Sequence, residues 1–143
     1  MKNKIRFMVS GREEGVNLSL MEAIKELEEA TSKDYEMTLN IAFNYGGRAE
    51  ITDAVNKILK DGRTSITEEE FSKYLYNDIP DPDFVIRTSG EFRISNFLLW
   101  QIAYSEIYIT DKYWPDFDEI EMEKAILSYS KRERRFGGRL DVK

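Results

Sequence analysis

The sequence predicts an α/β fold, a parallel sheet of about four strands with flanking helices, on three observations. Four short runs of apolar, strand-favouring residues alternate with segments of helical periodicity along the chain. No tight hairpin signal joins one run to the next, so the connections must be right-handed crossovers between parallel strands. The 143 residues are 41% hydrophobic and 13% aromatic, enough for one packed domain over 1–143 and too apolar for a disordered chain.

The elements follow in order. Ile5 to Val9 reads as a first strand, closed by Ser10-Gly11. Ser19-Leu20-Met21-Glu22 has the form of a capping box, and Leu20, Ala23, Ile24, Leu27 and Ala30 recur at helical spacing behind it. Met37 to Tyr45 is the second strand, ended by Gly46-Gly47; a helix with Ile51, Ala54, Val55 and Ile58 on one face follows at once, with Gly62 as its stop. Thr67 to Glu70 offers another capping box for a short helix carrying Phe71 and Leu75, before Pro80 and Pro82 break the chain. Phe84-Val85-Ile86 is a brief third strand, then comes the polar loop from Arg87 to Arg93, and an apolar helix is expected from about Ser95 to Tyr104. Ile107 to Thr110 is the fourth strand. After Trp114-Pro115-Asp116, Asp118 and Glu121 open a last helix on Met122, Ala125, Ile126 and Tyr129, which ends in Lys131, Arg132, Arg134 and Arg135.

Composition removes whole classes of function. Twenty-seven acidic against 21 basic residues, a net charge of -6, work against general nucleic-acid binding, so any phosphate site must be local. No apolar run reaches the roughly 18 residues of a membrane span, and Met1-Lys2-Asn3-Lys4 leads into a strand rather than a signal-peptide core; a cytoplasmic location is the expectation. With no cysteine and no histidine, thiolate nucleophiles, zinc sites and imidazole acid/base chemistry are all excluded. What remains is carboxylates, hydroxyls, arginines and hard cations such as magnesium.

In parallel sheets ligands bind at the carboxyl ends of strands, which points to Asn44 to Arg48 and Arg87 to Ser95. Arg87 ends a strand, while Arg93 and Ser95 stand where the expected helix begins. Two guanidinium forks can clamp a diphosphate, and a helix start adds amide donors. Equally, the arginines can pair with Asp83 and Glu91, with Ser95 serving as a cap. The glycines of Asn44-Tyr45-Gly46-Gly47-Arg48 are explained by a tight turn as readily as by a close ligand. Glu106, between apolar segments, needs a counter-charge. A magnesium ion would supply it, and so would an arginine.

Four stretches together go further than any of these patterns. Asn40 to Arg48, Asp81 to Gln101 (including Ile86-Arg87-Thr88-Ser89-Gly90-Glu91 and Arg93-Ile94-Ser95-Asn96) and Trp114 to Phe117, followed by Arg132 to Gly138, resemble the cis-prenyltransferases, the undecaprenyl diphosphate synthase family. The resemblance implies a truncated form of that family's fold and condensation of isopentenyl diphosphate with an allylic diphosphate such as farnesyl diphosphate, assisted by Mg2+. It casts Arg87, Arg93, Ile94 and Ser95 as the isopentenyl-diphosphate site, Glu106 as the magnesium ligand, and Arg135 and Gly137 as contacts to a partner subunit's site in a homodimer. Phe92 stands where some members have histidine.

Nothing from Met1 to Arg48 resembles the aspartate-bearing segment with which family members begin. The chain is therefore expected to be the C-terminal portion of a synthase and inactive alone. The alternative is a non-catalytic interaction subunit of a heteromeric cis-prenyltransferase. Loss of the preceding strands is expected to leave Ile5 to Val9 as an exposed sheet edge that drives association. A helix from Ser95 would also carry Glu106 on the order of 15 Å away, toward the other end of the sheet, where it would serve its own chain only if the chain folds back.

Overall fold

The alternation read from the sequence folds into parallel strands with flanking helices: β1 (Ile5–Ser10), α1 (Leu18–Ala30), β2 (Met37–Ala42), α2 (Gly47–Lys60), α3 (Glu68–Ser72), β3 (Phe84–Arg87), β4 (Glu106–Ile109) and α4 (Glu119–Ser130). The computed structural model describes residues 4–132. The chain divides into two units, Met1–Ile79 and Pro80–Lys143, at the proline-containing stretch. The strands hydrogen-bond as two parallel pairs, one per unit: β1 with β2, Ile5 opposite Met37 through Ser10 opposite Ala42, and β3 with β4, Phe84 opposite Glu106 through Arg87 opposite Ile109.

In the first unit the helix starts are chemically explicit. The expected box at Ser19 gives way to a cap two residues earlier, because Asn17 accepts from the Ser19 amide at 2.9 Å and the Ser19 hydroxyl at 2.7 Å. The Thr67 box forms as the spacing predicts, with Thr67 accepting from the Glu70 amide and Glu70 from the Thr67 amide. Ala54, Ile58, Phe71 and Leu75 make the core. Glu50 lies among them at 2% exposure, its carboxylate accepting from the Tyr76 amide at 3.1 Å and from the Tyr45 hydroxyl. Its place in the first turn of α2 adds the helix dipole to those donors.

β1 is the sheet edge expected, pairing only with β2 among the described residues, but two of its outward amides are occupied. The Phe7 amide donates to Thr31 Oγ1 at 3.0 Å and the Val9 amide to Glu28 Oε1 at 2.8 Å, so side chains of the α1 end take up amides that an edge strand would offer to another chain. A row of apolar residues left in solvent lies on β2 and just beyond, where Met37, Leu39, Ile41 and Phe43 alternate at 42–53% exposure.

A polar triad joins the end of β1 to later elements of the same unit. Arg12 donates from Nε and Nη2 to the two oxygens of Asp53, both at 2.8 Å, and the Tyr76 hydroxyl donates to Asp53 at 2.6 Å. The Arg12 guanidinium, then the Tyr76 hydroxyl, hold the Asp53 carboxyl down, from 3.8 to about 2; burial, then the neighbouring Asp53, push the Tyr76 phenol up to about 12. Because the folded-state value of Asp53 is the lower one, its contribution to stability is complete above about pH 4 and lost as pH falls toward 2. The stability difference between wild type and Asp53→Asn, from urea titrations, is therefore expected to shrink steadily across that window. A difference that stays constant from pH 4 to pH 2 would rule the linkage out.

The second unit is built on β3, β4 and α4, with Ile102 and Ala125 as its buried apolar residues. Asp118 caps α4 by accepting from the Glu121 amide at 2.9 Å. The helix expected from Ser95 to Tyr104 does not form: the stretch is a series of turns, and Ser95, Asn96 and Leu98 have φ of 48, 64 and 44°. Left-handed conformations in three non-glycine residues interrupt any right-handed helix. The run Phe97-Leu98-Leu99-Trp100 would make a helix apolar all round, and such a helix needs cover on every side. One strand pair and one helix supply too little of it.

Candidate functional site

The carboxyl end of β3 is where the candidate residues gather. Arg87 is the last residue of β3, and its carbonyl accepts from the Thr110 amide at 2.9 Å. The chain then turns through Ser89 and Gly90, both with positive φ, and is fastened twice more: the Gly90 amide donates to the Thr110 carbonyl at 2.9 Å and the Ser89 amide to that of Lys112 at 2.8 Å. Thr110 is buried, with its hydroxyl 3.4 Å from the carboxylate of Glu121, itself 8% exposed. The loop after Arg87 is thus pinned to the residues following β4.

Arg87, Glu91, Arg93, Ile94 and Ser95 all line one cavity of about 740 Å³, whose remaining walls are apolar: Val85, Ile86, Phe92, Phe97, Ile102, Ile107 and Ile109. Arg87 Nε is buried and has no hydrogen-bond partner. A buried donor without an acceptor among the described residues is costly, and this one belongs to an arginine that lines the cavity. Arg93 differs. It is ion-paired with Glu91, the plain alternative the sequence had left open, and stays 64% exposed. Ser95 is exposed and, with the helix absent, brings no helix N-terminus or dipole to the cavity. The chemistry of the site is therefore two arginines and a hydroxyl at the rim of an apolar hollow, suited to a ligand with an anionic head and a hydrocarbon body.

Glu106 lies elsewhere. It opens β4 opposite Phe84, three pairs back from Arg87 in the register, and its carboxylate accepts from Arg132 at 2.7 Å. It is not among the cavity residues. An arginine thus supplies its counter-charge. No group of three or more acidic side chains that could hold a metal ion occurs among the described residues, and the expected ligand Glu106 is itself paired with an arginine. The registered strands place Glu106 toward the other end of the pair from Arg87, as the chain path had suggested, although by strand register rather than by a helix. Arg135 and Gly137 lie outside the described residues.

Three features were not anticipated from sequence. Thr110 as the anchor of the Arg87 turn, Arg132 as the partner of Glu106, and the Arg12–Asp53–Tyr76 triad all join residues 20 or more positions apart, and no spacing rule connects them. The second strand-end turn is structural in its chemistry: Asn44, at φ 49°, donates its side-chain amide to the carbonyls of Arg12 and Glu14.

Comparison with known proteins identifies the family and the fold. Residues 1–137 match the family model for undecaprenyl diphosphate synthase. The chain is 72% identical over 138 residues to an isoprenyl transferase of Fusobacterium nucleatum, covering 96% of this chain and 60% of that one. It is 55% identical over 142 residues to an isoprenyl transferase of Thermotoga maritima, covering 96% and 61%. Among solved structures, the probable undecaprenyl diphosphate synthase of Campylobacter jejuni superposes with a TM-score of 0.86 at 32% identity, over 95% of this chain and 64% of that one. Lavandulyl diphosphate synthase from Lavandula x intermedia, in complex with dimethylallyl diphosphate, superposes with a TM-score of 0.85 at 35% identity, over 93% and 60%. The chain spans about 60% of the length of the curated relatives it matches. With a model match over nearly all its residues, the chain belongs to the undecaprenyl diphosphate synthase family of prenyltransferases.

Proposed function

We propose that Arg87, Arg93, Ile94 and Ser95 bind isopentenyl diphosphate, the diphosphate between the two arginines and the hydrocarbon against the apolar wall. The reaction served is cis-prenyl transfer, in which isopentenyl diphosphate is condensed with an allylic diphosphate such as farnesyl diphosphate to extend a polyprenyl diphosphate in the cytoplasm. The observation that carries this reading is the convergence of Arg87, Arg93 and Ser95 on one cavity whose remaining wall, Glu91 apart, is apolar. Guanidinium donors to phosphate are charge-assisted and geometrically selective, so they fix the head of such a ligand while the apolar wall desolvates its tail. Retention of this clamp favours the catalytic lineage over a purely structural interaction subunit, which has no use for it. The lavandulyl relative, solved with dimethylallyl diphosphate, supports the ligand class.

Magnesium belongs to the same proposal, with Glu106 as the expected carboxylate ligand of this chain. Glu106 offers at most one carboxylate, and its register position away from Arg87 is consistent with service to a site completed across a homodimer. When bound, the ion would neutralise diphosphate charge.

Condensation needs a second substrate site, and no such site is formed by the clamp. The purified 143-residue chain, supplied with isopentenyl diphosphate, farnesyl diphosphate and magnesium, is expected to yield no polyprenyl product by thin-layer radiochromatography while still binding isopentenyl diphosphate in calorimetric titration. Product formation would overturn the inactivity, and the lack of saturable binding would overturn the clamp.

A further inference from the structure

One residue in the wall of the clamp has no evident use there. Glu91 lines the same cavity as Arg87 and Arg93, where a carboxylate repels the very ligand the arginines attract. It is ion-paired with Arg93, the two side chains keeping 36% and 64% of their surface exposed. The two arginines are therefore in different states: Arg87 has a buried Nε with no partner, whereas Arg93 already holds an anion supplied by its own loop.

We infer that Glu91 is the internal counter-ion of the clamp, occupying the Arg93 guanidinium until an incoming phosphate displaces it, a role that rests on the cavity being a diphosphate site. Its position makes this possible without rearranging the strands. Glu91 directly follows the Ser89–Gly90 turn, which is held by the backbone of Thr110 and Lys112, so the carboxylate is carried on a fixed support within reach of Arg93 in every molecule. The magnitude fits displacement rather than blockage. Ion pairs as exposed as this one are weak, so Glu91 lowers anion affinity by a small factor that a ligand making several charge-assisted bonds readily overcomes. A single carboxylate, making fewer such bonds, gains little by exchanging with the one already there.

The test is calorimetric titration of the 143-residue chain with inorganic pyrophosphate in the absence of divalent cations. Glu91→Gln keeps the size and hydrogen-bonding reach of the side chain and removes its charge, and it is expected to bind pyrophosphate about two- to fivefold more tightly than wild type. The same gain is expected with inorganic phosphate, since the same pair is released in both cases. Binding by Glu91→Gln that is equal to or weaker than that of a measurably binding wild type overturns the inference. So does a loss that appears only when magnesium is added, which would make Glu91 a metal-bearing residue instead. Failure of wild type and variant alike to bind pyrophosphate overturns the diphosphate clamp itself.

Discussion

Arg87→Ala is expected to weaken binding of isopentenyl diphosphate by on the order of 100-fold in calorimetric titration. The size of the effect comes from what the side chain lacks in the unliganded protein. Arg87 forms no ion pair among the described residues, so its guanidinium gives up no protein carboxylate when it takes an arriving phosphate, whereas Arg93 gives up Glu91. Charge-assisted bonds contribute about 1.5–3 kcal/mol each, and two of them in a bidentate contact amount to roughly two to four orders of magnitude at about 1.4 kcal/mol per decade, the lower end being expected where the cavity is open to water. Arg87→Lys keeps the charge and loses the planar fork, so it should recover only part of the deficit. Arg93→Ala should cost less than Arg87→Ala, because Arg93 must first give up Glu91. Wild-type affinity in Arg87→Ala would remove the basis of the functional reading.

The largest effect on stability is expected at Gly11. With φ at 153° it occupies a region that side-chain-bearing residues rarely enter, and a Cβ there would lie 1.7 Å from the Phe43 carbonyl oxygen and 2.9 Å from the Phe43 carbonyl carbon. Both are backbone atoms, and neither chain can retreat easily. The Arg12 amide donates to the Asn44 carbonyl at 3.2 Å, and the Asn44 side chain donates to the Arg12 and Glu14 carbonyls at 2.8 and 3.0 Å. Backbone strain and overpacking each cost about 1–3 kcal/mol, so Gly11→Ala should lose at least ~3 kcal/mol and melt roughly 10 °C lower. Gly15→Ala is the control: φ is 79° there as well, but no atom lies within 4 Å of the added carbon. It should show the cost of the left-handed backbone alone, about 1 kcal/mol. Equal melting points for the two variants would show that the close approach at Phe43 relaxes freely.

Legibility of the fold from sequence tracked the range of the interactions concerned. All four strands and the helices through Ala54, Phe71 and Ala125 were readable because periodicity, capping and glycine stops act within a few residues. The Thr67 cap was legible for that reason. The cap at Asn17 was missed because Ser19-Leu20-Met21-Glu22 satisfies the same local pattern, and only the structure reveals that the Ser19 hydroxyl is spent on Asn17. The stretch after Ser95 failed for a different reason. Its composition suits a helix, but an all-apolar helix depends on tertiary cover that local pattern does not record. At the site, the arginines at the strand end were legible from topology and from family resemblance. Their unequal states were not, because ion pairing with Glu91 and burial of Nε are properties of packing.

The attachment of the Arg87 turn has a mechanical consequence. One peptide unit on each side of Thr110 is bonded to the residues on either side of the loop's first bend, its N–H to Arg87 and its carbonyl to Gly90. Arg93, further along the loop, hangs from a segment whose nearest backbone bond is the short local one from Phe97 to Ile94. The cavity thus has one wall fastened across to the residues after β4 and another, at Arg93, fastened only locally. In the proposed binding mode the fastened wall is the one that fixes the position of an anionic head.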